Sequence, residues 1–329
     1  MNLKHSYMLL ALLAGLAASA AACHAATRAD LIRKKFDNPA AGVFVVAHRG
    51  CHNASPAQGL GEAPENSRLA LEQCVLLGVD MMELDVRRAA DGALVVMHDD
   101  TIDRTTNGSG RLDQFTLAQL KTLRLKQNLG AAMSPILTAE TVQTLEEMLA
   151  LAKGRIMLNL DIKEAIYPAV IAAVKAQGME RHVLVKSVVT GGAPPAADQP
   201  GFDTVPYMPI VGNWAGAPLV ASPAEISRSE LAARHKPAGV EMVYLSSDDY
   251  AQLRKTTAAA KVRLWANTLT SVGVISVIGM GGDLDGLRTQ GQAWGALLAS
   301  GVDTIQTDEP GPLLDYLERA RIPHWAGQQ

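Results

Sequence analysis

Aromatic residues make up only 4% of this 329-residue chain, and neither sign of charge dominates it. With so few rings the core must be aliphatic, and 48% hydrophobic residues suffice for a large one. A formal net charge of −3 without any basic stripe argues against a nucleic-acid partner. Three cysteines are too few for a disulfide framework. Past the first 25 residues there is no apolar run long enough to span a membrane. Nor is there a short-period repeat or the His spacing of a zinc signature.

The longest apolar run is at the start. The stretch "MNLKHSYMLLALLAGLAASAAACHA" opens with Lys4, continues apolar and ends in small residues. That is the pattern of a secretory signal peptide cut after Ala25. Cys23 opens a lipoprotein alternative, cleaved ahead of it, although Ala stands where such sites usually carry Leu. The expected mature chain, 26–329, is exported to the periplasm or the exterior. Its length fits one large α/β barrel or two smaller domains. Cys51 and Cys74 remain in it. An exported protein could bridge them, but two separate free thiols are the expected state.

Strand-like runs alternate with helical ones. Strands are expected at 43–48, 79–86, 93–98, 156–162, 183–188, 204–211, 240–246, 262–268 and 303–307. Helices are expected at 66–78, 144–154, 166–178, 249–260 and 285–301, several of them ending in Gly. The link between the second and third strands is far too short for a parallel crossover, so one of that pair is an antiparallel excursion. Eight strands remain, the count of a TIM-type (β/α)8 barrel. The segment 99–140 is too long for a barrel loop and reads as a small inserted subdomain after the second strand. A second long excursion covers 190–235.

The short hairpin, 83-ELDVRRAADGALVVMHD-99, raises the question of chemistry. Asp91-Gly92 between apolar runs predicts a two-residue turn. That turn places Asp85 opposite His98, with Glu83 on the same face as Asp85. Further polar groups stand at the C-terminal ends of other strands: His48 and Arg49, Asp161 and Lys163, Trp265 and Asn267, Asp308 and Glu309. Active sites of barrels lie at that end. Singly, each has a bland explanation: a surface cation, a core Trp, or a helix cap at Asp308. His52, His182, His235 and His324 have no evident partner and read as surface or loop residues. Together, three carboxylates suit a hard divalent cation, Mg²⁺ or Ca²⁺. Two histidines outside the ligand set make a general acid and base. Arg49 offers a planar fork to phosphate oxygens. The set is equipment for phosphodiester hydrolysis.

These residues resemble the glycerophosphodiester phosphodiesterase family. The matching pieces are 47-AHRG-50, 63-APENS-67, 78-GVDMMELDV-86, 94-LVVMHD-99, 103-DRTTNGSG-110, 159-NLDIK-163, 265-WANTL-269 and 301-GVDTIQTDEP-310, in the family's order. The resemblance implies a TIM barrel and a divalent metal held by Glu83, Asp85 and Asp161. It implies His48 and His98 as acid and base, with Arg49 and Lys163 on the phosphate. It also implies Glu65 near the metal and His48, and Trp265 lining the alcohol side of the substrate site. The chain departs from the family in having Asp161 where Glu is usual, a longer 51-CHNASPAQGLGEA-63 segment, and Gln143 where Pro is common. The implied substrate is a small glycerol phosphodiester. Alternatives are a lysophospholipid or phosphoinositide on the same barrel, for which 206–220 is apolar enough, or an exported binding protein without catalysis.

Overall fold

The structure is a computed structural model that describes residues 25–130, 136–213, 221–269 and 276–325. The expected leader, apart from Ala25, lies outside them, and Cys23 with it. Among the described residues nine strands form: β1 (Phe44–Ala47), β2 (Met81–Arg88), β3 (Leu94–Val96), β4 (Met157–Ile162), β5 (Val183–Val188), β6 (Tyr207–Gly212), β7 (Gly239–Val243), β8 (Arg263–Asn267) and β9 (Thr304–Thr307). Eight of them run parallel in the order β1-β2-β4-β5-β6-β7-β8-β9, and β9 pairs back onto β1. The sheet is therefore a closed TIM-type barrel. Its strands are covered on both faces, which explains their near-continuous apolar runs. Strand β3 pairs antiparallel with β2, outside the ring.

Among the described residues ten α-helices accompany the strands: α1 (Arg28–Phe36), α2 (Arg68–Leu77), α3 (Leu117–Leu120), α4 (Leu145–Ala152), α5 (Tyr167–Ala176), α6 (Pro223–Leu231), α7 (Ser247–Ala260), α8 (Asp283–Arg288), α9 (Gln292–Ala299) and α10 (Pro310–Arg319). The N-cap side chains of Ser67, Thr144 and Ser246 each accept a backbone N–H in the first turn, which fixes where α2, α4 and α7 begin. The helix expected over 285–301 is two helices, α8 and α9, because the chain breaks between Arg288 and Gln292. Helices α1, α6 and α10 were not among the expected ones.

Helix α1 closes the barrel from below. Its Ile32 and Phe36 enter an apolar cluster with Phe44, Met81, Met157, Leu184, Met208 and Trp265. Burying each such side chain contributes roughly 1.5–3 kcal/mol. Arg263 ties the plug down: its guanidinium donates to the carbonyls of Phe36 (3.1 Å) and Gly42 (3.0 Å). Above this layer the interior turns polar, with Glu83, Asn159, Lys186, Glu241, Asn267 and Gln306 all buried. Segment 98–143 carries its own small core, including Ile102, Leu112, Leu120 and Leu125.

Candidate active site

Strand alternation supplies the first part of the site. Glu83 and Asp85 are two apart on β2, and Asp85 is in register with Asp161 on β4. Each of these three carboxylates offers an oxygen within 4.8 Å of the others. Glu83 and Asp85 are almost fully buried, so the cluster concentrates negative charge away from water. Neighbouring groups hold it in place. Glu83 accepts the Arg49 backbone N–H at 2.7 Å. Asn66 grips Asp85 twice: its amide donates to Oδ2 at 2.7 Å, and its Oδ1 accepts the Asp85 N–H at 3.1 Å. Lys163 Nζ stands 2.7 Å from Asp161 Oδ2 and 2.9 Å from Asp85 Oδ1.

The electrostatics fit a cation. Burial, and then the charges of Asp85 and Asp161, push the Glu83 carboxyl well above its ordinary range. Burial would push Asp85 the same way, but Lys163 and Arg49 outweigh it and hold that carboxyl low. Asp85 Oδ1 is buried and has no hydrogen bond among the described residues, only the charge contact from Lys163. Three oxygen donors, one of them under-satisfied, suit a hard divalent ion. His48, His52 and Asp308 also lie close enough to hold a metal. There, however, both imidazoles converge on one carboxylate oxygen, at 2.7 and 3.3 Å, which is hydrogen bonding rather than a ligand cage.

Each candidate acid/base histidine is held by an aspartate through Nδ1. His48 Nδ1 is 2.7 Å from Asp308 Oδ1, and His98 Nδ1 is 2.7 Å from Asp99 Oδ1. In each case the Nδ1–H donates and Nε2 is turned away from the aspartate. His48 is 6% exposed, and burial pushes its imidazole below the ordinary value, against the pull of Asp308. Asp308 would be raised by burial, but the bonds from His48 and His52 hold it far below the usual carboxylate range. Asp99 is held low by the bond from His98 and by Arg104.

Arginines link the two halves. Arg104 donates to Asp99 at 2.7 and 3.0 Å and to Glu65 at 2.6 and 2.8 Å. Glu65 also takes Arg49 Nη1 at 3.3 Å, and Arg49 Nε lies 3.7 Å from Asp85. Arg49 occupies the left-handed region at φ 54°, an uncommon conformation for a residue with a side chain. Gly50 follows at φ 89°; a Cβ there would lie 2.8 Å from that of Ala70, so only glycine lets this turn lie on α2.

Several expectations need correcting. The hairpin turn is three residues long. Ala89 N–H bonds to Ala93 O, and Gly92 has φ 89°, the type I turn plus bulge. The ladder is thus shifted by one residue, and Asp85 opposes Met97, whose N–H it accepts at 2.9 Å. His98 lies beyond the ladder, so strand alternation does not place it. Arg87 instead pins its carbonyl at 2.9 Å, and its ring acts electrostatically on Asp85. Glu65 is not in the carboxylate cluster; its two oxygens serve Arg49 and Arg104. Trp265 has no exposed surface, because it belongs to the apolar layer beneath Asn267, to which its indole N–H donates at 3.2 Å. Cys51 and Cys74 form a disulfide, because α2 folds back over the loop that follows β1. His52 and His324 are buried, not surface residues. Asn66, Asp99 and Arg104 lay inside recognised sequence pieces but carried no assigned role. Asp308 was placed among the polar strand ends, with a helix cap as its bland alternative, and was given no partner.

Residues 48–197 match the model of the Glycerophosphoryl diester phosphodiesterase family, and 207–317 match that of a domain of unknown function. A glycerophosphodiester phosphodiesterase of Caldanaerobacter subterraneus is 36% identical over 151 residues, which are 44% of this chain and 57% of the relative. The chain thus matches little more than half of that relative's length. A crystal structure of a glycerophosphoryl diester phosphodiesterase from Parabacteroides distasonis aligns with a TM-score of 0.62 and 22% identity, covering 92% of this chain and 94% of that one. An Oleispira antarctica phosphodiesterase in complex with the product sn-glycerol-3-phosphate aligns with a TM-score of 0.54 and 20% identity, covering 84% and 97%. At these identities the two structures establish the shared barrel.

Proposed function

We propose that this chain, whose residues 48–197 match the glycerophosphoryl diester phosphodiesterase family model, hydrolyses glycerophosphodiesters to an alcohol and glycerol 3-phosphate. The observation that carries this reading is the pairing of a largely buried three-carboxylate cluster with two aspartate-anchored histidines at one end of the barrel.

Glu83, Asp85 and Asp161 would hold a divalent cation, Mg²⁺ or Ca²⁺, which would supply Lewis-acid polarisation of a phosphoryl oxygen. Arg49 and Lys163 bring positive charge to the same phosphate. One histidine takes a proton through Nε2 from the attacking oxygen, which belongs to water or to the substrate's own glycerol hydroxyl; the second route gives a cyclic phosphate first, which water then opens to glycerol 3-phosphate. The new P–O bond forms as the bond to the alcohol breaks. The other histidine gives the departing oxygen its proton. Asp308 and Asp99 keep the rings in the tautomer and orientation this exchange needs. The leader-like start and the Cys51–Cys74 disulfide support an exported location.

The test is an assay of the purified chain on glycerophosphocholine and glycerophosphoethanolamine, with Mg²⁺, Ca²⁺ or a chelator. Release of glycerol 3-phosphate is expected only with metal. A folded protein that releases none under any condition contradicts the proposal and favours a binding role. A second reading, a lysophospholipid substrate, is favoured by Val188 and Ile278, which are 54% and 59% exposed beside the ends of β5 and β7. Faster release of choline from lysophosphatidylcholine than from glycerophosphocholine would establish it.

A further inference from the structure

His52 is a fully buried histidine at the barrel mouth that the reaction above does not use. Its Nε2 lies 3.3 Å from Asp308 Oδ1, the oxygen that also holds His48 Nδ1 at 2.7 Å. Its Nδ1 lies 3.1 Å from Asn128 Oδ1, in the inserted segment.

The amide orientations are fixed by a chain of donors. Asn53 Nδ2 donates to the Asp308 carbonyl at 3.0 Å and to Glu309 Oε1 at 2.8 Å. Asn53 Oδ1 is left to accept from Asn128 Nδ2 at 2.9 Å, which turns Asn128 Oδ1 toward His52. The backbone is tied as well: Ala63 N–H donates to the His52 carbonyl, and Asn128 N–H to the Ala63 carbonyl, both at 3.0 Å. The preceding residue, Cys51, is bridged to α2. His52 therefore joins the loop after β1, the inserted segment and the end of β9 at the carboxylate that orients His48.

We propose that His52 is a positioning residue that fixes the carboxylate of Asp308, and through it the direction in which His48 meets the phosphodiester. The proposal rests on the hydrolytic reading of the site. A histidine present only to fill space would need neither partner, since an apolar side chain of its size would serve. With His52 absent, Asp308 Oδ1 keeps the His48 contact but loses its second imidazole anchor. Small misplacements of a catalytic group cost up to about 100-fold in rate. The charged groups around the two rings are Asp308, Arg49 and Asp85 near His48, and Asp308 and Glu309 near His52. Removing His52 takes one of the two imidazoles off Asp308 Oδ1 and leaves more of that carboxylate's pull to His48, which favours the protonated form of His48.

The experiment compares wild type, His52→Leu and His52→Gln in the metal-loaded full chain. The readouts are kcat, KM, the pH profile of kcat/KM, Mg²⁺ affinity by calorimetry and the His48 titration by imidazole NMR. His52→Leu is expected to lower kcat by about 10- to 100-fold, with KM and Mg²⁺ affinity little changed. The acid limb of kcat/KM and the His48 midpoint should both move to higher pH. His52→Gln, which retains an N–H donor, should restore most of kcat. Normal kcat in His52→Leu would overturn the proposal, as would equal losses in both variants with matching falls in melting temperature. If the wild type hydrolyses no diester, the hydrolytic reading fails on its own. The NMR midpoint then still decides: an upward shift in His52→Leu supports the role, and an unmoved midpoint refutes it.

Discussion

Both proposed acid/base histidines rely on the same device, an aspartate on Nδ1, but in different settings. His48 is buried and its aspartate is shared with a second ring, whereas the His98 side chain is 32% exposed and its aspartate is gripped by Arg104. Replacing either histidine with Ala should lower kcat by about 10²- to 10⁴-fold while circular dichroism and the melting temperature stay near wild type. Substantial activity in either variant would remove that residue from the mechanism. Burial sets the sign of the pH dependence. Because His48 is pushed below its ordinary 6.5, it is neutral and able to accept a proton at pH 7. If it is the base, its titration sets the acid limb of kcat/KM, below pH 6.5; a His48-dependent limb on the basic side would make it the acid instead. Glu83, Asp85, Asp161 and Lys163 were legible in the sequence because they interrupt apolar strands at the end where barrels do chemistry. Asn66, Arg104 and His52 were not, because what each does depends on contacts the fold creates: Arg104 bridges Asp99 to Glu65, and His52 and Asp308 are 256 residues apart.

At the level of elements, the nine strands were readable from their apolar runs, and the register of the hairpin was not. Asp-Gly fits both a two-residue turn and a three-residue turn with a bulge, and the choice moves every pairing by one. The fold places His98 near Asp85 by anchoring the chain beyond β3, with Arg87 on its carbonyl and Asp99 on its ring. Helix α1 went unread because it follows directly on a leader-like segment. Its apolar face becomes meaningful only once a barrel bottom exists to receive it. The Cys51–Cys74 bridge closes a loop across 23 residues of sequence and should stabilise the fold by about 3 kcal/mol. Reduction, or Cys74→Ser, is accordingly expected to lower the melting temperature by several degrees. An unchanged melting temperature would show that α2 holds the loop unaided.

For the molecule as a whole, closure and chemistry are one property. The family match ends at residue 197, yet β1 pairs with β9 and His48 leans on Asp308. A chain cut after residue 197 should therefore show no cooperative melting and no activity, and an active fragment would contradict this coupling. Charge in the barrel is likewise a global matter, because a polar upper layer of buried groups sits on an apolar plug. A cation bound there relieves carboxylate repulsion, so saturating Mg²⁺ should raise the melting temperature, by the equivalent of about 2.7 kcal/mol at a hundred times its Kd.

Titrating Mg²⁺ back into chelator-treated protein, while following glycerol 3-phosphate release from glycerophosphocholine, tests the central claim most directly. The account predicts no release without metal, saturable recovery in the wild type, and recovery in Asp85→Asn that is absent or demands far more metal. Full activity in the chelated wild type, or identical Mg²⁺ curves for wild type and Asp85→Asn, would contradict it.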